Sequence, residues 1–316
     1  MGFNLYLAGG DSVPLDLKKD DNVGILTTFA DGPTAVKKFI DKRHCKTFCD
    51  SGAYGVAHSG KKIDIDEYIK FINNTPECDV FAVLDEIPWT DGQKDDALYR
   101  QTAEGTWKNY IYMLEHVKPE YLDKLVCAFH YGEPIDCLHK IIDGYKGYKP
   151  KYIALGGRAG VSTASLYNYL DNKFWPAIRN SSNPDIKIHA FGVTVFEMLE
   201  RYRWYSADST TWLRTGIAGN IHTRCKGMKV VNISDRKTEK GKPLLKTGIG
   251  ALNNIRHIKQ EQRDRIMQEI EAYGFDFEEL VTDYKKRHEW NCLYYKEWAD
   301  NFVYKPTNII RQHSLF

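Results

Sequence analysis

Short apolar runs alternate with helical patterns along most of the chain, and the alternation occurs eight times. The runs cover 3–8, 23–29, 47–49, 79–84, 125–129, 152–155, 186–191 and 204–207. They are nearly continuous in apolar residues, the pattern of parallel strands covered on both faces. Between them the period lengthens. Ile65, Ile69 and Ile72 recur at helical spacing within 63–74. Further helices are predicted over 33–42, within 95–116, and over 135–143 and 165–179, with a short one reaching Tyr202. Eight strand–helix units predict an α/β fold, a closed (β/α)₈ TIM barrel, over about 1–222. A doubly wound open sheet is the alternative fold. No Gly-x-Gly-x-x-Gly follows the first strand, and Gly9-Gly10-Asp11 reads as a turn.

After residue 208 the pattern changes. Residues 217–250 are rich in Gly and Lys, with 230–233 as an extra strand. Residues 253–273 predict a helix carrying Ile258, Ile266 and Ile270 among polar positions, and 277–286 and 290–302 predict two more. No flexible linker precedes this third, so a single domain over 1–316 is expected, with 223–316 a basic and helical extension on the barrel. A hydrophobic fraction of 42% with 27% charged residues fits an ordinary globular chain. No run of 18 apolar residues occurs, so no membrane partner is expected. The first residues lack the basic and apolar regions of a secretory signal. The seven cysteines are an odd, scattered set without Cys-x-x-Cys, which predicts reduced thiols and a cytoplasmic location.

The net charge of +2 hides an asymmetry. From His222 to Gln260 ten basic residues (224, 226, 229, 236, 237, 240, 242, 246, 256, 259) stand against Asp235 and Glu239 alone. Such a cluster either binds phosphates through counterion release or forms a solvated face.

In a (β/α)₈ barrel the C-terminal strand ends hold the chemistry. Here they carry Asp50, Asp85, His130, Gly156-Gly157 and Asp208. Each has an ordinary alternative. Asp50 before Ser51-Gly52 can form an Asx turn. Asp85 can be a solvated loop acid, His130 a satisfied buried histidine, and the glycines a turn. Asp208, ahead of Ser209-Thr210-Thr211, can cap a helix. Together at successive strand ends they suit a divided task, with one carboxylate as nucleophile and another as proton donor or base.

Asp50-Ser51-Gly52-Ala53-Tyr54-Gly55 resembles the Asp-Ser-Gly-Gly-Phe/Tyr motif of tRNA-guanine transglycosylases. Val83-Leu84-Asp85-Glu86-Ile87-Pro88 is similar to their Phe-Asp-Glu strand end, and Ala154-Leu155-Gly156-Gly157-Arg158-Ala159 to their Ile-Gly-Gly-Leu-Ala. Phe191-Gly192-Val193 resembles their Gly-Val-Gly strand, and Asn220-Ile221-His222 their Asn-Gly-His. The order holds over about 45–225. The resemblance implies that Asp208 is the nucleophile at C1′ and Asp50 the general acid/base. Tyr54, Asp85, His130, Gly156 and Gly157 would bind the base, and Arg214 would lie near the nucleic acid.

The departures are specific. The family's Cys-x-Cys-x-x-Cys zinc site is absent, and Trp290 stands where a histidine ligand would be. A site from His222, Cys225, His288 and Cys292 fits no common spacing, so no metal is expected. His130 replaces a glutamine and Ile217 a second arginine. With the wording around Asp208, these departures resemble the phage and bacterial DNA 7-deazaguanine transglycosylases. That branch implies DNA as partner, a 7-deazaguanine base as second substrate and no cofactor. Lys226, Lys229, Arg236 and Lys237 would then join Arg214 on phosphates, and Trp204 and Trp212 could stack on an extruded base. The host cytoplasm is the expected location if the chain is phage-encoded, and a homodimer stays open. The same chemistry on tRNA is the alternative. A metal-dependent barrel hydrolase and a non-catalytic nucleic-acid-binding barrel are the other classes.

Overall fold

The structure is a computed structural model that describes residues 2–57, 62–88, 95–157, 160–225, 228–234 and 254–306. Eight parallel strands close a barrel in chain order: β1 (Asn4–Ala8), β2 (Val23–Thr28), β3 (Thr47–Asp50), β4 (Val80–Ala82), β5 (Leu125–His130), β6 (Tyr152–Gly156), β7 (Lys187–Ala190) and β8 (Ser206–Ser209). Asn4 of β1 lies beside Ser206 of β8 and Leu7 beside Ser209, which excludes an open sheet. The fold is a (β/α)₈ barrel.

Side chains alternate along a strand. Tyr6, Phe48, Val80, Ala82, Val126, Ala128, Tyr152 and Ala154 form one buried cluster inside the barrel. Leu5, Cys49, Phe81, Cys127, Ile153 and Ile188, one position along, are also buried, under the helices. Burial on both faces explains why the strands read as continuous apolar runs. The period of two also carries the inner face onward. It runs from Phe48 to Asp50, from Ala128 to His130, from Ala154 to Gly156, and on β8 from Ser206 to Asp208.

The helices of this unit are α1 (Pro33–Lys42), α2 (Ala53–Ala57), α3 (Ile65–Asn73), α4 (Asp96–His116), α5 (Ile135–Asp143), α6 (Thr163–Tyr169), α7 (Trp175–Arg179) and α8 (Phe196–Arg201). Asp64 caps α3 by accepting from the Asp66 and Glu67 N–H groups. A π turn at Leu170–Phe174 joins α6 to α7, where Pro176 cannot donate to the ordinary ladder. Strand eight starts two residues later than its apolar pattern predicts. Trp204 lies before it, with its indole N–H donating to the Met198 carbonyl and its ring edge-on to Trp175. Asp208 is therefore inside the strand. Residues after 301 return to this unit: Phe302 stacks on Phe3 at 4.5 Å, and the Lys305 N–H donates to the Glu200 carbonyl.

The chain divides into two compact units, and the second comprises 11–16 and 210–301. It contains α9 (Thr211–Ile217), β9 (Asn220–His222) antiparallel to β10 (Val230–Asn232), α10 (Gln260–Ala272), α11 (Phe277–Thr282) and α12 (Tyr284–Asp300). Its core joins Ile221, Val231, Ile255, Ile266, Ile270, Leu280 and Trp290. The helix predicted from 253 begins only at Gln260. The Asn254 side chain accepts from the Arg256 N–H and donates to Asn232, a local turn that competes with helix. The later pair divides at Asp283, which caps α12 by accepting from the Lys285 N–H. Arg287 is buried, and its guanidinium donates to the carbonyls of Gly216, Leu280 and Val281. It thereby satisfies the last turns of α9 and α11. All seven cysteines are unpaired. Among the described residues no helix is long and apolar enough to cross a membrane.

Candidate active site

A cavity of about 280 Å³ is lined by Asp50, Tyr54, Asp85, Ile87, His130, Gly156, Gly157, Phe191, Gly192 and Asp208. It gathers Asp50, Tyr54, Asp85, His130, Gly156, Gly157 and Asp208, residues from five separate strand ends and loops.

Asp50 ends β3, and its Oδ2 accepts from the Gly52 N–H at 3.3 Å, so the Asx turn and the place at the cavity coexist. Gly52 sits at φ +87, and a Cβ there would come within 2.4 Å of the Ala30 Cβ. Only glycine allows this turn. Burial, then the charges of Asp85 and Asp208, push the Asp50 carboxyl up to about 7, against the pull of the Gly52 and Ser51 N–H groups.

His130 lies between two carboxylates. Its Nε2 meets Asp85 Oδ2 at 2.8 Å, and its Nδ1 meets Glu133 Oε1 at 2.9 Å. The other Glu133 oxygen accepts from the His130 backbone N–H at 2.8 Å. Burial opposes the imidazolium, but the Glu133 charge and the Asp85 hydrogen bond outweigh it and carry the pKa up to about 10. Both ring nitrogens are thus engaged within the protein. Gly157, at φ +68, would place a Cβ 2.7 Å from the His130 Cβ, and Gly156 one 3.2 Å from its Cδ2. The Gly156 carbonyl accepts from the Tyr131 N–H. The glycine pair is needed first to seat this imidazolium.

The stability that His130 draws from its partners is fully present below the unfolded pKa near 6.5 and is lost as pH rises through about 10. Glu133→Gln is expected to lower stability at pH 7 by about 3 kcal/mol and to flatten the decline towards pH 10. Chemical denaturation across pH 6–10 checks this. An unchanged slope would show that Glu133 does not hold the proton there.

Asp208 takes both of its hydrogen bonds on Oδ1, from the Gly192 N–H at 2.6 Å and from His189 Nε2 at 3.3 Å. It does not cap the next helix. Thr210 occupies the N-cap of α9, with no side-chain bond. The capping alternative fails because Asp208, on the inner face of β8, points across to β7. Asp85, just beyond β4, also accepts a long 3.5 Å bond from the Ser51 hydroxyl. Tyr54, on α2, is 48% exposed at the rim. Ile87 and Phe191 supply apolar wall.

The stacking assignment fails for two tryptophans. Trp204 packs against Trp175, and Trp212 is fully buried in the second unit beside His288, so neither lines the cavity. Arg214 and Lys229 are exposed on the second unit, and Lys226, Arg236 and Lys237 lie outside the described residues. Arg224, counted in the basic segment, is tied to Glu269 and Glu297 under the ring of Tyr273. Among the described residues no three His, Cys, Asp or Glu side chains gather as metal ligands would. His222 stacks on Tyr294, the Trp290 N–H donates to the His222 carbonyl, and His288 meets the Leu213 carbonyl.

Two site residues escape the motif reading. Glu133 carried a signal, lying three positions after His130 in the same turn. His189 also carried one, as an inward position of β7 two before Phe191. No protein-family model and no curated protein matches the chain.

Proposed function

We propose that the barrel is a transglycosylase that exchanges guanine in DNA for a 7-deazaguanine. The observation that carries this reading is a pair of aspartates in unlike surroundings at one cavity. Asp50 is poised to hold or release a proton near neutral pH. Asp208 is held through Oδ1 by two nitrogen donors, and Oδ2 has no protein partner among the described residues. Unlike environments of this kind divide acid/base and nucleophilic work between carboxylates.

In this reading Asp208 attacks C1′ of a deoxyguanosine nucleotide. The C1′–N9 bond breaks, its electron pair leaves on guanine, and protonated Asp50 supplies the proton. Asp50 then takes the N9 proton of the incoming base. That base attacks C1′ and expels the Asp208 carboxylate, so configuration is retained over two displacements. The ester conserves the glycosidic bond energy, and the exchange requires neither ATP nor a redox cofactor. A cavity of about 280 Å³ is near the small end of ligand sites and suits one nucleobase. Asp85, with His130 behind it, offers acceptors to the donor-rich edge of guanine, and Tyr54 a face for stacking. A guanine within a duplex would have to leave the stack to present C1′. Arg214, Lys229 and the basic segment that follows would bind phosphates.

The test is exchange of radiolabelled guanine, and of 7-deazaguanines, into duplex DNA, single-stranded DNA and tRNA in parallel. Incorporation into DNA is expected. Incorporation into tRNA alone would overturn the polymer assignment, and incorporation into none would overturn the reaction.

A further inference from the structure

We infer that His189 is a positioning residue for Asp208, set in place by a hydrogen-bond chain that crosses the barrel interior from Tyr152 through Ser206. The inference rests on Asp208 being the nucleophile proposed above. Tyr152, His189 and Ser206 lie on the neighbouring strands β6, β7 and β8, and all three are buried. The Tyr152 hydroxyl is bonded to Ser206 Oγ, Ser206 Oγ lies 2.5 Å from His189 Nδ1, and His189 Nε2 lies 3.3 Å from Asp208 Oδ1.

Polar groups in a barrel core are costly unless each finds a partner. Phe48, Val126, Ala128 and Ala154, which pack in the same interior, have side chains with no polar atom to pair with these groups. The donors can be assigned from its cavity end. A carboxylate only accepts, so Nε2 carries the proton. In a neutral imidazole Nδ1 then accepts, and the Ser206 hydroxyl donates to it. The Ser206 oxygen in turn accepts from the Tyr152 hydroxyl. Burial lowers the His189 pKa, which favours that neutral form.

The ring is also fenced. Phe48 lies 4.7 Å and Phe191 4.5 Å from it, centroid to centroid, with Tyr6 at 6.1 Å. With these rings packed around it, the bonds at Nδ1 to Ser206 and at Nε2 to Asp208 set its orientation. The Gly192 and His189 donors therefore meet the same oxygen from fixed positions, and Oδ2 is the oxygen left to attack.

The test has two arms on the full chain. In the first, nitrogen NMR of 15N-histidine protein reads the tautomer. His189 is expected with Nε2 protonated and Nδ1 bare, and its Nε2–H resonance should move in Asp208→Asn. In the second, exchange kinetics are compared between variants. His189→Phe is expected to lower kcat about 10²-fold with KM for the base nearly unchanged, the loss typical of removing one well-placed donor. His189→Gln can donate to Asp208 and accept from Ser206, so it should recover to within about tenfold of wild type. Ser206→Ala removes only the partner of Nδ1 and leaves the Nε2 bond to Asp208, so it should cost about tenfold and keep the Nε2–H tautomer.

A His189 protonated at Nδ1 would overturn the inference. So would wild-type turnover in folded His189→Phe. A Gln variant no better than Phe at equal melting temperature would assign His189 to packing alone and overturn it as well. If the wild-type chain exchanges no base, the proposed reaction falls, while the tautomer and its response to Asp208→Asn still decide the chain.

Discussion

Asp208→Asn is expected to lower base exchange by about 10⁴-fold or more, because a carboxamide cannot form the glycosyl ester and the steps that depend on it lose their common intermediate. The fold should survive. Asparagine keeps an Oδ1 for the Gly192 N–H, which approaches it at 2.6 Å, and the residue lies at a cavity wall. The expected profile is therefore a folded protein of near wild-type melting temperature with no turnover. Two measurements check it. The first is radiolabel exchange at saturating base. The second is a denaturation-resistant protein–DNA adduct on a gel, present when wild type meets DNA without incoming base and absent in Asp208→Asn. An Asn variant that exchanges within tenfold of wild type would remove Asp208 as nucleophile and leave Asp50 or Asp85 to be tried in its place. An adduct that persists in Asp208→Asn but maps to another side chain would do the same.

The barrel was legible because its signal is repeated. Eight apolar runs with helical spacing between them leave few other folds, and α1 and α5 begin and end where their patterns do. The residues that line the cavity were legible where strand ends met polar residues, as at Asp50, Asp85, His130 and Asp208. Other features were hidden by physical causes. Trp204 extends an apolar run without being in the strand, because its indole belongs to the helix layer with Trp175. Asn254 and Asp283 break helical patterns through side-chain bonds to the backbone, and such bonds leave hydrophobic periodicity unchanged. His189 looked like one more residue of a buried strand. Only the closure of β7 against β8 brings its Nε2 to Asp208, a contact over nineteen positions in the chain. Glu133 belongs to none of the motifs, and only the turn after β5 brings its carboxylate to His130 Nδ1. The glycine pair reads as a turn or a base-binding edge, but the space a Cβ would need there is taken by the His130 imidazole.

Asp50→Asn is expected to lower exchange by about 10²- to 10⁴-fold while making the protein more stable above neutral pH. Activity comes first. If Asp50 gives a proton in one half-reaction and takes one in the next, the first needs it protonated and the second ionised. With its pKa at about 7, exchange should peak near that pH and fall on both sides, and the Asn variant should lose the whole profile. Stability follows from the same displacement with the sign fixed. The folded pKa lies above the unfolded 3.8, so folding disfavours the ionised form. The cost is absent below pH 3.8, develops up to about 7 and is complete above it. A displacement from 3.8 to about 7 corresponds to roughly 4 kcal/mol at full ionisation. Asparagine keeps the acceptor for the Gly52 N–H and escapes the cost. Denaturant unfolding should therefore show the variant level with wild type at pH 4 and more stable by up to that amount at pH 8. A gain equal at both values would mean that ionisation is not its source. The charge of Asp208 contributes to the displacement, so the gain at pH 8 should shrink when Asp50→Asn is made in the Asp208→Asn background. An undiminished gain would separate the two carboxylates energetically and remove the reason for assigning them paired roles.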